Sequence, residues 1–331
     1  MARVYEAEAI ATGLIVAVTG AAVVIAESRG VRIDYASFAG RYLVAAALVG
    51  LAAFYRYRDR TPAISLTLAS CAMFVLFTNG GAALNYLLIR PGSVTIDPML
   101  MRADAALGFE WASFAGQVSQ TGWFARMLGW VYQSSLVQLG AMILVLGLSG
   151  RQVALHRFML SGILCSCFTL LIWSLAPSFG PSPYVMLAPD VEARLGRVVD
   201  PAYAGQLLAL LRDGAGTIDA DRLIGLIAFP SMHTVMAAMA VCYARRTALF
   251  WPLAALNLLM VPAILVHGGH HLVDVLGGLA LFALVWLWVR RLVPGDAPAA
   301  LLQVQTASGG RLIKIASMLP PVFRPNSVPR S

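Results

Sequence analysis

Eight apolar runs, each long enough to cross a bilayer, recur along this chain. They lie near residues 9–27, 40–56, 63–89, 128–148, 158–177, 226–244, 249–267 and 271–290. In hydrocarbon every backbone N–H and C=O needs a partner within the protein, so runs of about 20 apolar residues fold as helices. An outer-membrane barrel would instead show alternating segments of about ten residues, and none is present. Only 12% of the residues are charged, about half the share in a soluble domain. The expected fold class is all-α: a polytopic transmembrane helical bundle of about eight spans. The first run follows Glu6 and Glu8 and has no clean cleavage pattern, so it reads as a retained helix rather than a signal peptide.

The segments divide into four regions. Residues 1–89 hold N-terminal transmembrane helices. Residues 90–127 form a mixed loop containing Arg90-Pro91-Gly92, Asp97-Pro98 and an amphipathic run, Met99 to Trp111, that suits an interfacial helix. Residues 128–293 form a membrane core, interrupted by a polar loop at 178–225 that opens on a proline-rich, helix-breaking stretch. Residues 294–331 read as a flexible tail with a short surface helix near Arg311–Met318. The net charge is +8, but the basic residues are scattered among loops, which argues against nucleic acid as a partner. Four clusters follow the even-numbered runs: Arg56, Arg58 and Arg60; Arg151 and Arg157; Arg245 and Arg246; Arg290 and Arg291. The positive-inside rule makes that side cytoplasmic and both termini with it. Arg29 and Arg32 fall on the other side, diluted by Glu27 and Asp34. The four cysteines, Cys71, Cys165, Cys167 and Cys242, all fall inside apolar runs and read as small core residues.

Ionisable groups at membrane depth are costly and mark function. Four of the five histidines lie between Phe229 and Gly278. Phe229-Pro230-Ser231-Met232-His233 and His270-His271-Leu272-Val273-Asp274-Val275 sit, by the charge argument, at the same non-cytoplasmic face. His270 and Asp274 are four residues apart and share a helical face. A carboxylate on one imidazole nitrogen fixes the tautomer and leaves the other as nucleophile or base. Pro230 suits a first helical turn. Ser231 and the free N–H groups beside it can hold an anion, and His233 can protonate a leaving oxygen. These are the parts of phosphoryl transfer through a phosphohistidine. A zinc site from His267, His270, His271 and Asp274 is the rival reading; the preferred one needs neither metal nor cofactor. His156 reads as a bystander.

The two motifs resemble those of the type-2 phosphatidic acid phosphatase superfamily, and most of all its branch that includes inositol phosphorylceramide synthases. The likeness is specific over roughly residues 170–290. It implies a phosphatidic-acid-phosphatase-like catalytic helix bundle, His270 as nucleophile, Asp274 as its orienting partner, His233 as general acid and Ser231 as a phosphate ligand. The superfamily's first motif has a Lys seven residues before its Arg-Pro; here Ala83 stands there and Arg90-Pro91 follows. Its third motif carries Ser-Arg where this chain has Ala263 and Ile264. The synthase branch also lacks these features. The positive phosphate ligands are therefore assigned to Arg222, nine residues before Ser231, and Arg90, with Arg194 and Arg197 next.

The function expected is an integral-membrane lipid phosphatase or phosphotransferase. Its partners are the bilayer, a phospholipid or lipid phosphate, and a possible hydroxyl acceptor. With water as acceptor it is a phosphatase. With a lipid or polyol hydroxyl it is a head-group transferase of the inositol-phosphate type, and the motifs do not separate the two. A proton-coupled transporter would spread ionisable groups along several spans, whereas here they gather at one face. A non-catalytic scaffold would not depend on His270.

Overall fold

The computed structural model describes residues 2–58 and 61–295. The chain runs α1 (Ala2–Arg29), β1 (Arg32–Ile33), α2 (Tyr35–Tyr57), α3 (Pro62–Leu88), α4 (Asp97–Ala106) and α5 (Trp111–Ser119). It continues as α6 (Gly122–Gln133), α7 (Ser135–Leu148), α8 (Gln152–Leu175), α9 (Pro189–Leu195), α10 (Pro201–Asp213) and β2 (Thr217–Ile218). It closes with α11 (Met232–Ala244), α12 (Phe250–His267) and α13 (Leu272–Leu292). The fold is an all-α membrane bundle. Two short strands pair in parallel, Arg32 opposite Thr217 and Ile33 opposite Ile218. Of the tail expected at 294–331, residues 296–331, with the helix expected near Arg311–Met318, lie outside the described residues.

Among the described residues, six helices are long and apolar enough to cross a membrane: α1, α2, α3, α8, α12 and α13. The fourth expected span is broken: α6 and α7 meet at 48°. The bend falls at Ser134-Ser135, whose hydroxyls turn back to the Val131 and Tyr132 carbonyls, a substitution for main-chain bonding that bends helices. The sixth expected span is shorter than its apolar run. Residues 226–230 are not helical, and Ala228 N–H donates to Ser178 O. The 13 residues of α11 then extend only about 20 Å, short of the roughly 30 Å of a hydrocarbon core.

α8 runs through the centre, packing on α1, α3, α7, α11 and α13. Leu155, Phe158, Leu160 and Cys165 of α8 meet Met142 and Leu146 of α7, Met239 of α11 and Val289 of α13. α6 and α12 close the far side through Leu128, Val131, Met260 and Ile264. Hydrocarbon tails are as apolar as these side chains, so close packing and buried polar pairs hold the helices together. Asn257 Nδ2 donating to Gln138 Oε1 at 2.6 Å, and the Ser161–Tyr243 hydroxyl pair at 2.8 Å, are two of the latter.

The basic loops gather at one end of the bundle. Arg151 donates to Arg245 O at 3.2 Å, Arg157 to Val293 O, and Arg56 pairs with Glu8, which also meets His156. α11 and α13 run from the opposite end towards this one. At that opposite end α4, α5, α9 and α10 form a roof. Arg29, one of the two basic residues on the unexpected side, is not a free loop charge: its guanidinium binds the Leu87 and Ile89 carbonyls, closing the C-terminus of α3. The amphipathic run in the roof is two helices rather than one. Gly108 at φ +77° ends α4, and Glu110 caps α5 by accepting from Ala112 and Ser113 N–H. Trp111 is buried and donates to Leu265 O at 2.8 Å, so it anchors the roof to α12 rather than meeting lipid.

Candidate active site

The site is built on the turn joining α12 to α13. Gly269 takes φ +60°, and His271 caps α13 in extended conformation. Asp274, at the third position of the helix, accepts His271 N–H at 2.8 Å and faces His270 Nδ1 at 3.1 Å through the same oxygen, Oδ2. One carboxylate therefore ends the helix and fixes the imidazole, leaving His270 Nε2 for chemistry. His270 and Asp274 are both buried.

The second motif is joined to the first by the main chain: Ser231 N–H donates to Asp274 O at 3.1 Å. Ser231 is fully buried and caps α11, its Oγ accepting Thr234 N–H at 3.3 Å. Gly278 makes that crossing possible, because a Cβ there would stand 2.5 Å from Ser231 O. At the second residue of α11, His233 stacks on Tyr132 at 4.1 Å between ring centres. Its own ring centre is 6.3 Å from that of His270. The two imidazoles stand edge to face, their planes tilted by 69°, with the start of α11 beside them.

The roof is tied to the same turn by a buried ionic cluster absent from the sequence-based site. His271 Nε2 meets Asp97 Oδ1 at 3.3 Å and its Nδ1 meets Asp104 Oδ2 at 3.4 Å. Asp104 accepts Leu272 and Val273 N–H at 3.0 Å each, satisfying the first turn of α13. Asp97 accepts the Ser178 hydroxyl and the Phe179 and Gly180 N–H groups. Burial works against charge on His271, but the Asp104 and Asp97 carboxylates outweigh it and push its pKa up to about 9. Burial likewise opposes the Asp97 carboxylate, yet His271, Ser178 and Phe179 N–H hold its pKa below the usual range. Gly180, at φ +82°, lies so close to the turn that a Cβ would be 2.0 Å from Gly269 O.

The arginine candidates separate. Arg222 is exposed and pairs with Asp219 at 3.3 Å. Arg90 is exposed beyond the end of α3, and Arg194 pairs with Asp190 at 2.8 Å. Among the described residues, no hydrogen bond or ion pair joins these three to His270, His233, Ser231 or Asp274. Arg197 is different. It is buried, pairs with Glu192, lies over the Trp111 ring at 5.2 Å and donates to Ser182 Oγ at 2.7 Å. Ser182 in turn packs on Gly269, next to His270. The three adjacent histidines do not converge on one point: His267 bonds Ala125 O at 2.7 Å, His270 bonds Asp274, and His271 bonds Asp97 and Asp104.

The family model of the PAP2 superfamily matches residues 98–288, from the first turn of α4 to the last turns of α13. The chain belongs to the PAP2 superfamily. Its members are phosphatases and phosphotransferases, and both histidine motifs lie inside the matched PAP2 region, as do Asp104, Arg197 and Tyr132. Helices α1 to α3 lie outside it. No curated protein and no solved structure matches the chain.

Reading the sequence missed Asp97, Asp104 and Tyr132 and placed Arg197 last. A signal for the two aspartates was present. They stand seven residues apart, two turns on one face of an otherwise largely apolar helix, a face that has to meet something polar. Nothing local pointed to Tyr132, because its stacking on His233 depends on how α6 packs beside α11.

Proposed function

We propose that this protein is a membrane enzyme that cleaves or transfers a phosphoryl group of a lipid phosphate or phospholipid through a phosphohistidine on His270. The observation that carries the reading is the juxtaposition of two imidazoles, ring centres 6.3 Å apart, with Asp274 on Nδ1 of one of them. His270 Nε2 attacks phosphorus; the bond from phosphorus to the leaving oxygen breaks, and protonated His233 gives that oxygen its proton. Water or an alcohol then attacks the phosphohistidine while His233 takes up a proton. His270 is released together with phosphate or with a new phosphodiester or phosphoester. Asp274 holds the tautomer and stabilises the positive charge that forms on the ring.

Ser231 and the first turn of α11 are proposed to bind phosphate oxygens through N–H and hydroxyl groups. Arg197 is our choice for the guanidinium nearest the transferred group, ahead of Arg222 and Arg90. Each step is complete without a metal ion. By the positive-inside rule the site faces away from the cytoplasm of a plasma or inner membrane, and both termini are cytoplasmic. The synthase-like branch, and with it head-group transfer, rests on the motif pattern that lacks Lys at Ala83 and Ser-Arg at Ala263-Ile264.

The test is phosphate release by the purified protein from a lipid phosphate in detergent, with and without chelator, beside His270→Ala. Release that survives chelator and is lost in the variant supports the phosphohistidine phosphatase. No release without acceptor, but transfer when a lipid alcohol is added, supports the transferase. Activity abolished by chelator would overturn the assignment of His270 as nucleophile.

A further inference from the structure

A cavity of about 360 Å³ lies between α3, α7, α8 and α11. Its wall is almost wholly apolar, with Phe74 and Phe77 on one side and Met232, Met236 and Met239 on the other. Those three methionines stand at i, i+4 and i+7 on α11, so the cavity follows that helix for about 10 Å. Its upper end begins one residue from His233 and is closed by Gly225 and Ile227, in the segment leading to Ser231. Leu136, at the rim, is 54% exposed to the surroundings of the bundle. An apolar cavity of roughly 150 Å³ holds a benzene molecule, so this one holds a chain of roughly a dozen carbon atoms.

Besides the hydroxyl side chains of Thr78, Ser166 and Thr169, one amide stands in this otherwise apolar wall. Asn85 of α3 is buried, and among the described residues its Nδ2 has no hydrogen-bond partner. The hydroxyls of Thr78 and Thr169 in the same wall are occupied, by Phe74 O and by Met232 Sδ. An unpaired buried amide costs stability, and a carboxamide offers either a donor or an acceptor by rotating. A wall that is greasy throughout, carries one free amide near the catalytic end and starts beside the acid imidazole matches one ligand chemistry: a fatty-acyl chain with its linkage carbonyl.

We infer that this chamber takes one acyl chain of the lipid substrate and that Asn85 hydrogen-bonds the ester or amide carbonyl at the head of that chain. The assignment rests on the proposed function only in taking the substrate to be a lipid. It gives α3, which lies outside the region matched to the PAP2 superfamily, the task of selecting acyl-linked over other lipids. Met232 couples the two sites, since its side chain lines the chamber while the next residue is the acid imidazole.

The test is photolabelling of the full-length protein in detergent by phosphatidic acid carrying a diazirine in one acyl chain, with peptides mapped by mass spectrometry. Labelling is expected on α3, α8 and α11 around Phe77 and Met236. Diester phosphatidic acid should compete with the probe roughly fivefold better than its diether analogue, the value of one hydrogen bond. Asn85→Leu should erase that difference while chamber labelling persists. Gly81→Leu projects into open space, 4.0 Å from the nearest atom at Cβ. It should cut chamber labelling at least tenfold, since each displaced methylene is worth roughly fourfold.

Label spread over outward faces such as Leu43 and Val44, equal in wild type and Gly81→Leu, would show bulk lipid and overturn the site. Equal competition by ester and ether lipids in the wild type would overturn the role of Asn85. Phosphate release is measured alongside. Its absence with chamber labelling intact sinks the catalytic reading and leaves the chamber standing.

Discussion

Replacing Asp104 tests whether a side chain in the roof holds the catalytic turn. Its two oxygens accept Leu272 and Val273 N–H at 3.0 Å each, and one of them faces His271. Asp104→Ala unpairs two partly buried N–H groups, each costing about 1 kcal/mol or more. It also leaves the His271 imidazole paired with Asp97 alone of the two roof carboxylates, a further loss of about 1–2 kcal/mol. The sum is about 3–4 kcal/mol. For a chain of this size 1 kcal/mol moves Tm by roughly 2 °C, so thermal unfolding in detergent should fall by roughly 6–8 °C. Asp104→Asn keeps one oxygen for the helix N-terminus but loses the charge, and should fall by roughly half as much. Asp213→Ala, which removes a side chain 58% exposed, should leave Tm unchanged. The same substitutions report on chemistry, because α13 begins two residues after His270. A displacement near 1 Å costs about a hundredfold in rate, so phosphate release by folded Asp104→Asn should drop more than its Tm suggests. Equal Tm and equal rate for Asp104→Ala and Asp213→Ala would refute the claim that this contact supports the turn.

Gly180→Ala should be strongly destabilising. It adds a left-handed residue, worth about 1–2 kcal/mol, and a Cβ 2.0 Å from Gly269 O, whereas Gly205→Ala, in α10 with open space, should be neutral or stabilising by differential scanning fluorimetry. The His271 cluster predicts a pH window. A pKa raised from about 6.5 to about 9 contributes about 3 kcal/mol that is full below pH 6.5 and lost as pH rises through 9; the lowered Asp97 adds a loss on the acid side. The difference in Tm between wild type and His271→Gln should therefore shrink between pH 7 and 9.5, and a constant difference would refute it. Arg197→Lys should raise KM for lipid phosphate at least tenfold, since a point charge does not reproduce the guanidinium fork held by Glu192 and Ser182; Arg222→Lys, at the surface, should leave it unchanged.

Much of this protein is determined by sequence alone, for a physical reason. Lipid forbids unpaired backbone, so apolar runs have to be helices, and the ends of α3, α12 and α13 fall close to the ends of the runs, whereas α2 and α8 start earlier than theirs. The pairing of His270 with Asp274 is also local, but it is not made along a shared helical face: His270 lies two residues before α13 and reaches Asp274 across the extended N-cap His271. Only tertiary structure decided what depends on distant segments meeting. Apolarity cannot show that α11 starts at Met232, because the residues before it bond to Ser178 rather than continuing a helix. Ser134 bends the fourth span through its hydroxyl, a choice that hydropathy does not carry. Asp97 and Asp104 mark one polar face of a short helix, but what that face meets is decided only when α4 packs on the start of α13, 168 residues away in sequence. Arg222 and Arg197 are indistinguishable as letters, since both follow a polar loop towards the second motif. Burial against Trp111, Glu192 and Ser182 is what brings one of them to the catalytic turn and leaves the other in solvent.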